Sequence, residues 1–236
     1  MYLEEFTGRG VTIAVIDSGV HASHPHIGGV HAGFGIRDDG SLTDDYLDRL
    51  GHGTAVTAAI HEKAPAASIV AIKVFRDTLA TDVATLARAI DEAAASGARV
   101  VNLSLGTAEM RHRDRLEAAV LRARARGAIV VAARDDGGVR WLPGCLEDVV
   151  PVRADVSLDR GAYEVGVVDD RYVVVTSPYP RDIPGVPREK NVHGISFAVA
   201  NASAFVARAL EASPAADIAR LFATLEAGCD RRSTVV

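Results

Sequence analysis

The chain has 236 residues, 48% of them hydrophobic and 24% charged, a composition typical of a globular domain and not of a collagen, a coiled coil or a disordered chain. Its formal net charge of −5 gives no electrostatic support for a nucleic-acid partner. Because no uninterrupted apolar stretch approaches the ~20 residues that span a bilayer, we expect no membrane partner either.

Short apolar runs alternate with amphipathic stretches in the first part of the chain. Four runs rich in β-branched residues are predicted to be strands: residues 11–16, 69–75, 99–105 and 128–133. Two stretches with helical periodicity, each followed by a glycine, are predicted to be helices: residues 81–96 and 110–126. Strands that alternate with helices indicate a parallel sheet covered by helices on both faces, which is an α/β fold.

The remainder of the chain is predicted to hold one strand, one long loop and two helices. These are a strand over 173–176, a loop over 177–187 with four prolines, and helices over 196–212 and near 215–226. Neither an internal repeat nor a linker is visible. We therefore predict a single domain over residues 1–228, followed by a flexible tail over residues 229–236.

The N-terminal residues and the two cysteines bear on the cellular compartment. Residues 1–7 lack the basic and apolar regions of a signal peptide. Cys145 and Cys229 are too few for a disulfide scaffold, and both are interpreted as small, half-buried hydrophobic residues. We expect a cytoplasmic protein with reduced thiols.

Three polar residues stand where strands end or helices begin. Asp17 directly follows the first strand, His52 lies between two glycines before a helix of small residues, and Ser196 opens another helix. Each alone has an ordinary explanation as a turn former, a structural histidine or an N-cap. Together they are the groups that a serine nucleophile needs, since the imidazole takes the serine proton and the carboxylate fixes the imidazole tautomer.

Four segments of the chain resemble those of the subtilisin-like serine peptidases, in the same order. They read VTIAVIDSGVHASHP, GHGTAVTAAI, VVNLSLG and HGISFAVANASAFVA. The resemblance implies a three-layer α/β fold with a mostly parallel central sheet. It also implies that Asp17 orients His52, that His52 acts as general base and then acid, and that Ser196 attacks the scissile carbonyl to form an acyl-enzyme.

The same resemblance assigns residues that bind the peptide. Ser104, Leu105 and Gly106 would present backbone groups to an extended substrate, which adds as a strand. Taken alone, this segment also fits an ordinary core strand followed by a turn.

The chain departs from the family pattern after the fourth strand, where it reads AARDD at 132–136. Asp136 takes the place of the asparagine that stabilises the oxyanion, leaving the Ser196 backbone amide as the other donor. Arg134 and Asp135 replace small residues that wall the pocket for the side chain before the cut. Trp141 either fills the floor of that pocket or packs in the core. We expect a small or shallow pocket.

We expect neither a metal nor another cofactor. The insertion that carries a common calcium site of the family is missing from AAIHEKAPAAS, and the acidic stretch 38–48 lacks the spacing of an EF-hand. The sequence thus predicts a serine endopeptidase of restricted specificity that acts on peptides or proteins, for example in precursor-peptide maturation. The alternative is a degenerate relative that binds peptides with little or no turnover. The natural substrate and the oligomeric state are left open.

Overall fold

The computed structural model, which describes residues 2–229 and 232–233, is organised around a ten-stranded sheet. The twelve strands of the described residues, ten of them in this sheet, are β1 (Thr12–Asp17), β2 (Ala32–Ile36), β3 (Leu42–Thr43), β4 (Ser68–Lys73), β5 (Val100–Leu103), β6 (Ile129–Ala133), β7 (Asp135–Asp136), β8 (Val139–Arg140), β9 (Val149–Ala154), β10 (Tyr163–Val168), β11 (Arg171–Thr176) and β12 (Arg232–Ser233). Its α-helices are α1 (His52–Lys63), α2 (Val83–Ala95), α3 (Arg113–Ala125), α4 (Ile195–Ala212) and α5 (Ile218–Gly228). Short 3-10 helices cover Tyr2–Glu5, Met110–His112 and Arg188–Lys190.

The strands of the large sheet follow the order β12-β10-β11-β9-β6-β5-β1-β4-β2-β3, and β7 and β8 form a separate hairpin. Only the pairs β10–β11 and β2–β3 of the large sheet are antiparallel. Along β1, Ile13 and Val15 pack in one hydrophobic cluster with α1, α4 and α5, whereas Ala14 and Ile16 pack in another with α2 and α3. Neighbouring strand residues point to opposite faces, so both faces of the sheet are covered. The predicted three-layer α/β fold is confirmed.

The strand order reverses at β1, which lies between β4 and β5. Ile16 is paired with Leu103 of β5, so Asp17, the last residue of β1, and Ser104, the first residue after β5, lie side by side at the carboxyl edge of the sheet. In open parallel sheets ligands bind in the crevice at such a switch point. The fold therefore points to this edge as the place of a functional site.

Helix α4 is the hydrophobic centre of one layer. Among the described residues it is the one helix long and apolar enough to cross a membrane, with a mean hydropathy of 1.2, but 72% of it is buried inside the protein. It packs against β5, β6, β9 and β11 of the sheet and against α1 and α5. Its apolar sequence is therefore explained by its place in the core.

Several predicted elements agree with the structure, and others were missed. The helices predicted over 81–96 and 196–212 correspond to α2 and α4, while the one over 110–126 begins as a 3-10 helix and continues as α3. Strands β2, β9 and β10 were not predicted. From the predicted tail, Arg232–Ser233 pair with β10, whereas residues 230–231 and 234–236 lie outside the described residues.

Candidate active site

The end of β1 and the start of α1 are packed together at the carboxyl edge of the sheet. A Cβ atom on Gly53 would lie 2.2 Å from the Gly19 carbonyl oxygen and 3.1 Å from the Cβ of Asp17. Only glycine permits this approach. The Gly53 N–H in turn donates to the Ser18 hydroxyl at 2.9 Å. His52, the first residue of α1, is thereby held beside Asp17.

Asp17 and His52 form a buried, hydrogen-bonded pair. The Nδ1 atom of His52 lies 2.8 Å from Oδ1 and 2.9 Å from Oδ2 of Asp17. The carboxylate is 1% exposed and the imidazole 18%. An N–H on Nδ1 that donates to this carboxylate leaves Nε2 as the proton acceptor. The pair thus has the geometry of a general base with its orienting carboxylate.

The pKa of His52 reflects these neighbours. Burial alone would lower it, but the hydrogen bond and the charge of Asp17, together with the charge of Asp48, raise the pKa above the ordinary 6.5. A general base acts in its neutral form. We therefore expect kcat/KM to rise with pH and to reach half its maximum above pH 6.5. An acid limb centred below pH 6 in a pH–rate profile would contradict this assignment.

Asp48 organises the turn that leads into α1, a role that sequence reasoning missed. Its Oδ1 atom accepts hydrogen bonds from the Ser18 hydroxyl and from the N–H groups of Leu50 and Gly51, at 2.8–2.9 Å. Its Oδ2 atom accepts from the N–H and the hydroxyl of Thr54 at 2.9 and 2.6 Å. The available signal was an aspartate shortly before a helix that lacks its own side-chain N-cap.

Replacing Asp48 should destabilise the fold. Asp48→Ala leaves five donors without their acceptor, and we expect a loss of about 3 kcal/mol in the free energy of unfolding. For a chain of this size that is roughly 6–12 °C in Tm by calorimetry. The exposed Asp44→Ala is the matched control, expected within about 0.5 kcal/mol of wild type. Equal Tm values for the two variants would refute the role of Asp48.

The stabilisation that Asp48 provides should depend on pH. Burial favours the neutral form of Asp48, but the hydrogen bonds from Thr54, Gly51 and Leu50 outweigh it and lower the pKa. A depressed pKa in the folded state means that the stabilisation is present at neutral pH and is lost as the pH falls below the ordinary 3.8. The stability difference between wild type and Asp48→Ala should shrink in that range.

Ser196 lies in the first turn of α4, in the same cleft as His52. Both line a cavity of about 620 Å³, and the ring of Phe197, the next residue, lies 5.9 Å from the His52 ring. The Ser196 hydroxyl donates to the Ser104 carbonyl at 3.1 Å, while the Ser104 hydroxyl donates to the Ser196 carbonyl at 2.9 Å. His52 and Ser196 thus line one cleft, and Asp17 is hydrogen-bonded to His52. The hydrogen bond of the Ser196 hydroxyl therefore goes to the carbonyl of the residue that directly follows β5.

The predicted peptide-binding segment also lines this cleft. Ser104, Leu105 and Gly106 follow β5 directly, and residues 79–81 line the same cleft. The apolar side chains of Phe75, Val83 and Leu86 line the cleft as well. The cleft thus offers an extended peptide both a backbone segment with which to pair and apolar side chains to contact.

The residues after β6 are placed differently from the sequence expectation. Asp136 is exposed in the β7–β8 hairpin and does not line the cleft, so its position does not support the predicted oxyanion role. Arg134 and Asp135 do not line it either, because their side chains form ion pairs with each other. Ala133 and Trp141 are the residues of this region that line it. The guanidinium of Arg134 is buried in ion pairs with Asp135 and Asp169, which explains why it does not line the cleft as predicted.

No grouping of three or more His, Cys, Asp or Glu side chains that could hold a metal ion is found within residues 2–229 and 232–233.

Comparison with known sequences identifies relatives of this chain. The sequence model of the Subtilase family matches residues 8–140, more than half of the chain. A thermophilic serine proteinase of Bacillus sp. (strain AK1) is 35% identical over 164 residues, which is 64% of this chain and 40% of that protein. Thermitase of Thermoactinomyces vulgaris is 34% identical over 139 residues, 56% of this chain and 49% of thermitase. The chain therefore spans less than half the length of these two relatives.

Solved structures share the fold. A cold adapted subtilisin-like serine proteinase superimposes with a TM-score of 0.71 at 22% identity, covering 94% of this chain and 83% of that one. The prenylagaramide maturation protease PagA superimposes with a TM-score of 0.66 at 24% identity, covering 89% of this chain and 79% of PagA. At this level of identity the likeness supports a common architecture.

Proposed function

Because the chain belongs to the subtilase family of serine peptidases, we propose that it is a serine endopeptidase that cleaves peptides or proteins through an acyl-enzyme on Ser196. The observation that carries the proposal is the part-buried hydrogen bond of 2.8 Å between Asp17 and His52. The imidazole of His52 lines the same cleft as Ser196. An oriented base beside a hydroxyl in a shared crevice is the minimal apparatus of acyl transfer.

The proposed reaction follows from the positions of these groups. The Ser196 hydroxyl leaves the Ser104 carbonyl, turns to the Nε2 atom of His52, gives up its proton and attacks the scissile carbonyl carbon. Imidazolium then protonates the leaving amine, and Asp17 stabilises its positive charge. Water attacks the acyl-enzyme with His52 again as base, which releases the acid and restores the serine.

Stabilisation of the oxyanion would come from the start of α4. The N–H groups in the first turn of a helix have no partner within the helix, and the helix dipole places partial positive charge there. The Ser196 N–H belongs to this turn. With Asp136 exposed in the hairpin, a second donor of the usual kind is missing from the chain's motif. Loss of one oxyanion donor costs about 10²–10³-fold in kcat, so we expect a slow enzyme.

Restricted specificity and a role in precursor-peptide maturation are the finer part of the proposal. A slow enzyme with a cleft walled by Trp141 fits selective processing better than general digestion. PagA, whose name describes it as a maturation protease, has the same architecture. The cytoplasmic location inferred from the sequence stays a prediction.

Digestion of a random peptide library tests this proposal. The purified protein should cut a defined subset of peptides, and Ser196→Ala should cut none. The degenerate peptide binder is the competing function, favoured by the serine hydroxyl that bonds to the Ser104 carbonyl. If the wild type binds library peptides between pH 6 and 9 but cleaves none of them, the peptidase proposal is refuted and the protein is a peptide binder.

A further inference from the structure

Trp141, the only tryptophan of the chain, lines the cleft, and a Cβ atom on Gly106 would lie 3.8 Å from the Trp141 Cβ. Its side chain is partly buried, and the indole Nε1 atom is fully buried without a hydrogen-bond partner among the described residues. Ser196 lines the same cleft. A large ring fixed at this point takes space that the side chain of a bound peptide would otherwise fill.

The backbone around Trp141 is bonded on both sides. Its N–H donates to the Arg134 carbonyl at 2.9 Å, and its carbonyl accepts from the Cys145 N–H at 2.9 Å. The next residue, Leu142, exchanges two hydrogen bonds with Thr107, at 2.8 and 3.0 Å. A Cβ atom on Gly106 would lie 2.5 Å from the Leu142 carbonyl oxygen, so the segment after β5 and the segment that contains Trp141 and Leu142 are in direct contact. The backbone of Trp141 therefore cannot move away from Gly106 without breaking this pairing.

Ion pairs hold the β7–β8 hairpin, which ends directly before Trp141, against its neighbours. The buried Arg134 guanidinium bonds to both Asp135 and Asp169, and Asp169 lies in the turn between β10 and β11. The Arg140 Nη2 atom, one residue before Trp141, lies 2.8 Å from Asp169, and the Arg153 Nε atom lies 2.8 Å from Asp135. Removing a partner from a buried charge is strongly unfavourable. The cluster therefore ties both strands of the hairpin to the sheet.

We propose that Trp141 is the specificity-determining residue of the cleft, held in place through the hairpin by Asp169, and that it limits the residue before the scissile bond to glycine, alanine or serine. This inference rests on the proposed function, since it assigns the substrate class of the same cleft. A larger side chain would have to displace the indole. Asp169 is a positioning residue, because it acts on substrate only through the hairpin and Trp141.

The test compares two matched internally quenched peptides, built on a sequence cut in the library and differing only in Ala or Phe before the cut. We expect wild type to favour Ala in kcat/KM by about 10²-fold. Trp141→Ala should raise cleavage of the Phe peptide at least about tenfold, whereas Trp141→Phe, which keeps a large ring, should keep the preference for Ala. Equal cleavage of both peptides by wild type, or an unchanged ratio in Trp141→Ala, would overturn the proposal.

A binding arm separates this proposal from the proposed activity. Since Trp141 is the only tryptophan, intrinsic fluorescence of Ser196→Ala reports directly on the occupied cleft. The Ala peptide should change the emission at concentrations where the Phe peptide does not. If wild type cuts nothing, the peptidase proposal fails, and the titration is made with the Ala and Phe forms of a library peptide that binds without being cut. Equal binding of these two forms refutes the specificity assigned to Trp141.

The positioning role of Asp169 has its own control in the neighbouring Asp170. Both have a positive φ, 49° and 58°, which asparagine tolerates well. Asp169→Asn should shift the tryptophan emission to longer wavelength and reduce the Ala-to-Phe ratio severalfold, because it weakens the anchor of the hairpin. Asp170→Asn should leave both unchanged. If the two variants have identical emission spectra and identical Ala-to-Phe ratios of kcat/KM, Asp169 does not position Trp141.

Discussion

Ser196→Ala and His52→Ala are each expected to lower kcat for peptide hydrolysis by about 10⁶-fold, the size of loss seen when nucleophile and base act as a unit. The physical reason is that each group needs the other. Without His52 the Ser196 alcohol is a weak nucleophile at neutral pH, and without Ser196 the imidazole has no hydroxyl to activate. Kinetics with a quenched peptide at saturating concentration measure the effect, and Asp44→Ala serves as the surface control.

The double variant sharpens this prediction. If Ser196 and His52 form one unit, removing both should cost about as much as removing either. Residual activity would then come from peptide binding and from the N–H groups at the start of α4. Losses that multiply, so that the double variant is slower than each single variant by another factor of about 10³ or more, would show that the two residues act independently.

Asp17→Asn is expected to reduce kcat by about 10⁴-fold while the fold is kept. An asparagine amide can donate a hydrogen bond to Nδ1 of His52, which favours the tautomer that carries its proton on Nε2. That tautomer cannot accept the proton of Ser196. The loss therefore stems from the wrong tautomer, in a side chain of nearly the same shape.

Asp48→Asn distinguishes this effect from a general loss of negative charge. Both Asp17 and Asp48 raise the pKa of His52, but only Asp17 bonds to its ring. We expect Asp48→Asn to keep kcat within about tenfold of wild type and to move the acid limb of the pH profile to lower pH. Comparable losses in the two variants would show that charge, and not the tautomer, is what Asp17 supplies.

The sequence predicted the layers, and with them the pairing of Asp17 with His52, because the signals of these elements are local. The apolar run of β1 ends at Asp17, and the small-residue stretches of α1 and α4 begin next to His52 and Ser196. The missed strands carry weak local signals. Strand β2 contains two glycines, and β9 contains Pro151 in the middle of a parallel pairing, where proline argues against a strand.

The surroundings of Asp136 could not be predicted, because they depend on contacts between residues far apart in the chain. Alignment by motif placed this residue at the oxyanion position. The structure instead has a hairpin whose turn holds Gly137 and Gly138, both with positive φ, and which is tied to Asp169 by ion pairs. The residues near Asp136 in the sequence predict neither the β7–β8 hairpin nor its ion pairs with Asp169.

Covalent labelling by a fluorophosphonate probe tests most directly whether this cleft activates Ser196. Intact mass spectrometry and peptide mapping of the wild-type protein, incubated between pH 6 and 9, should show one adduct, located on Ser196 and forming faster as His52 loses its proton. Ser196→Ala should take up no label, and His52→Ala should label far more slowly. An unlabelled wild type over this whole range, or an adduct on another residue, would contradict the account.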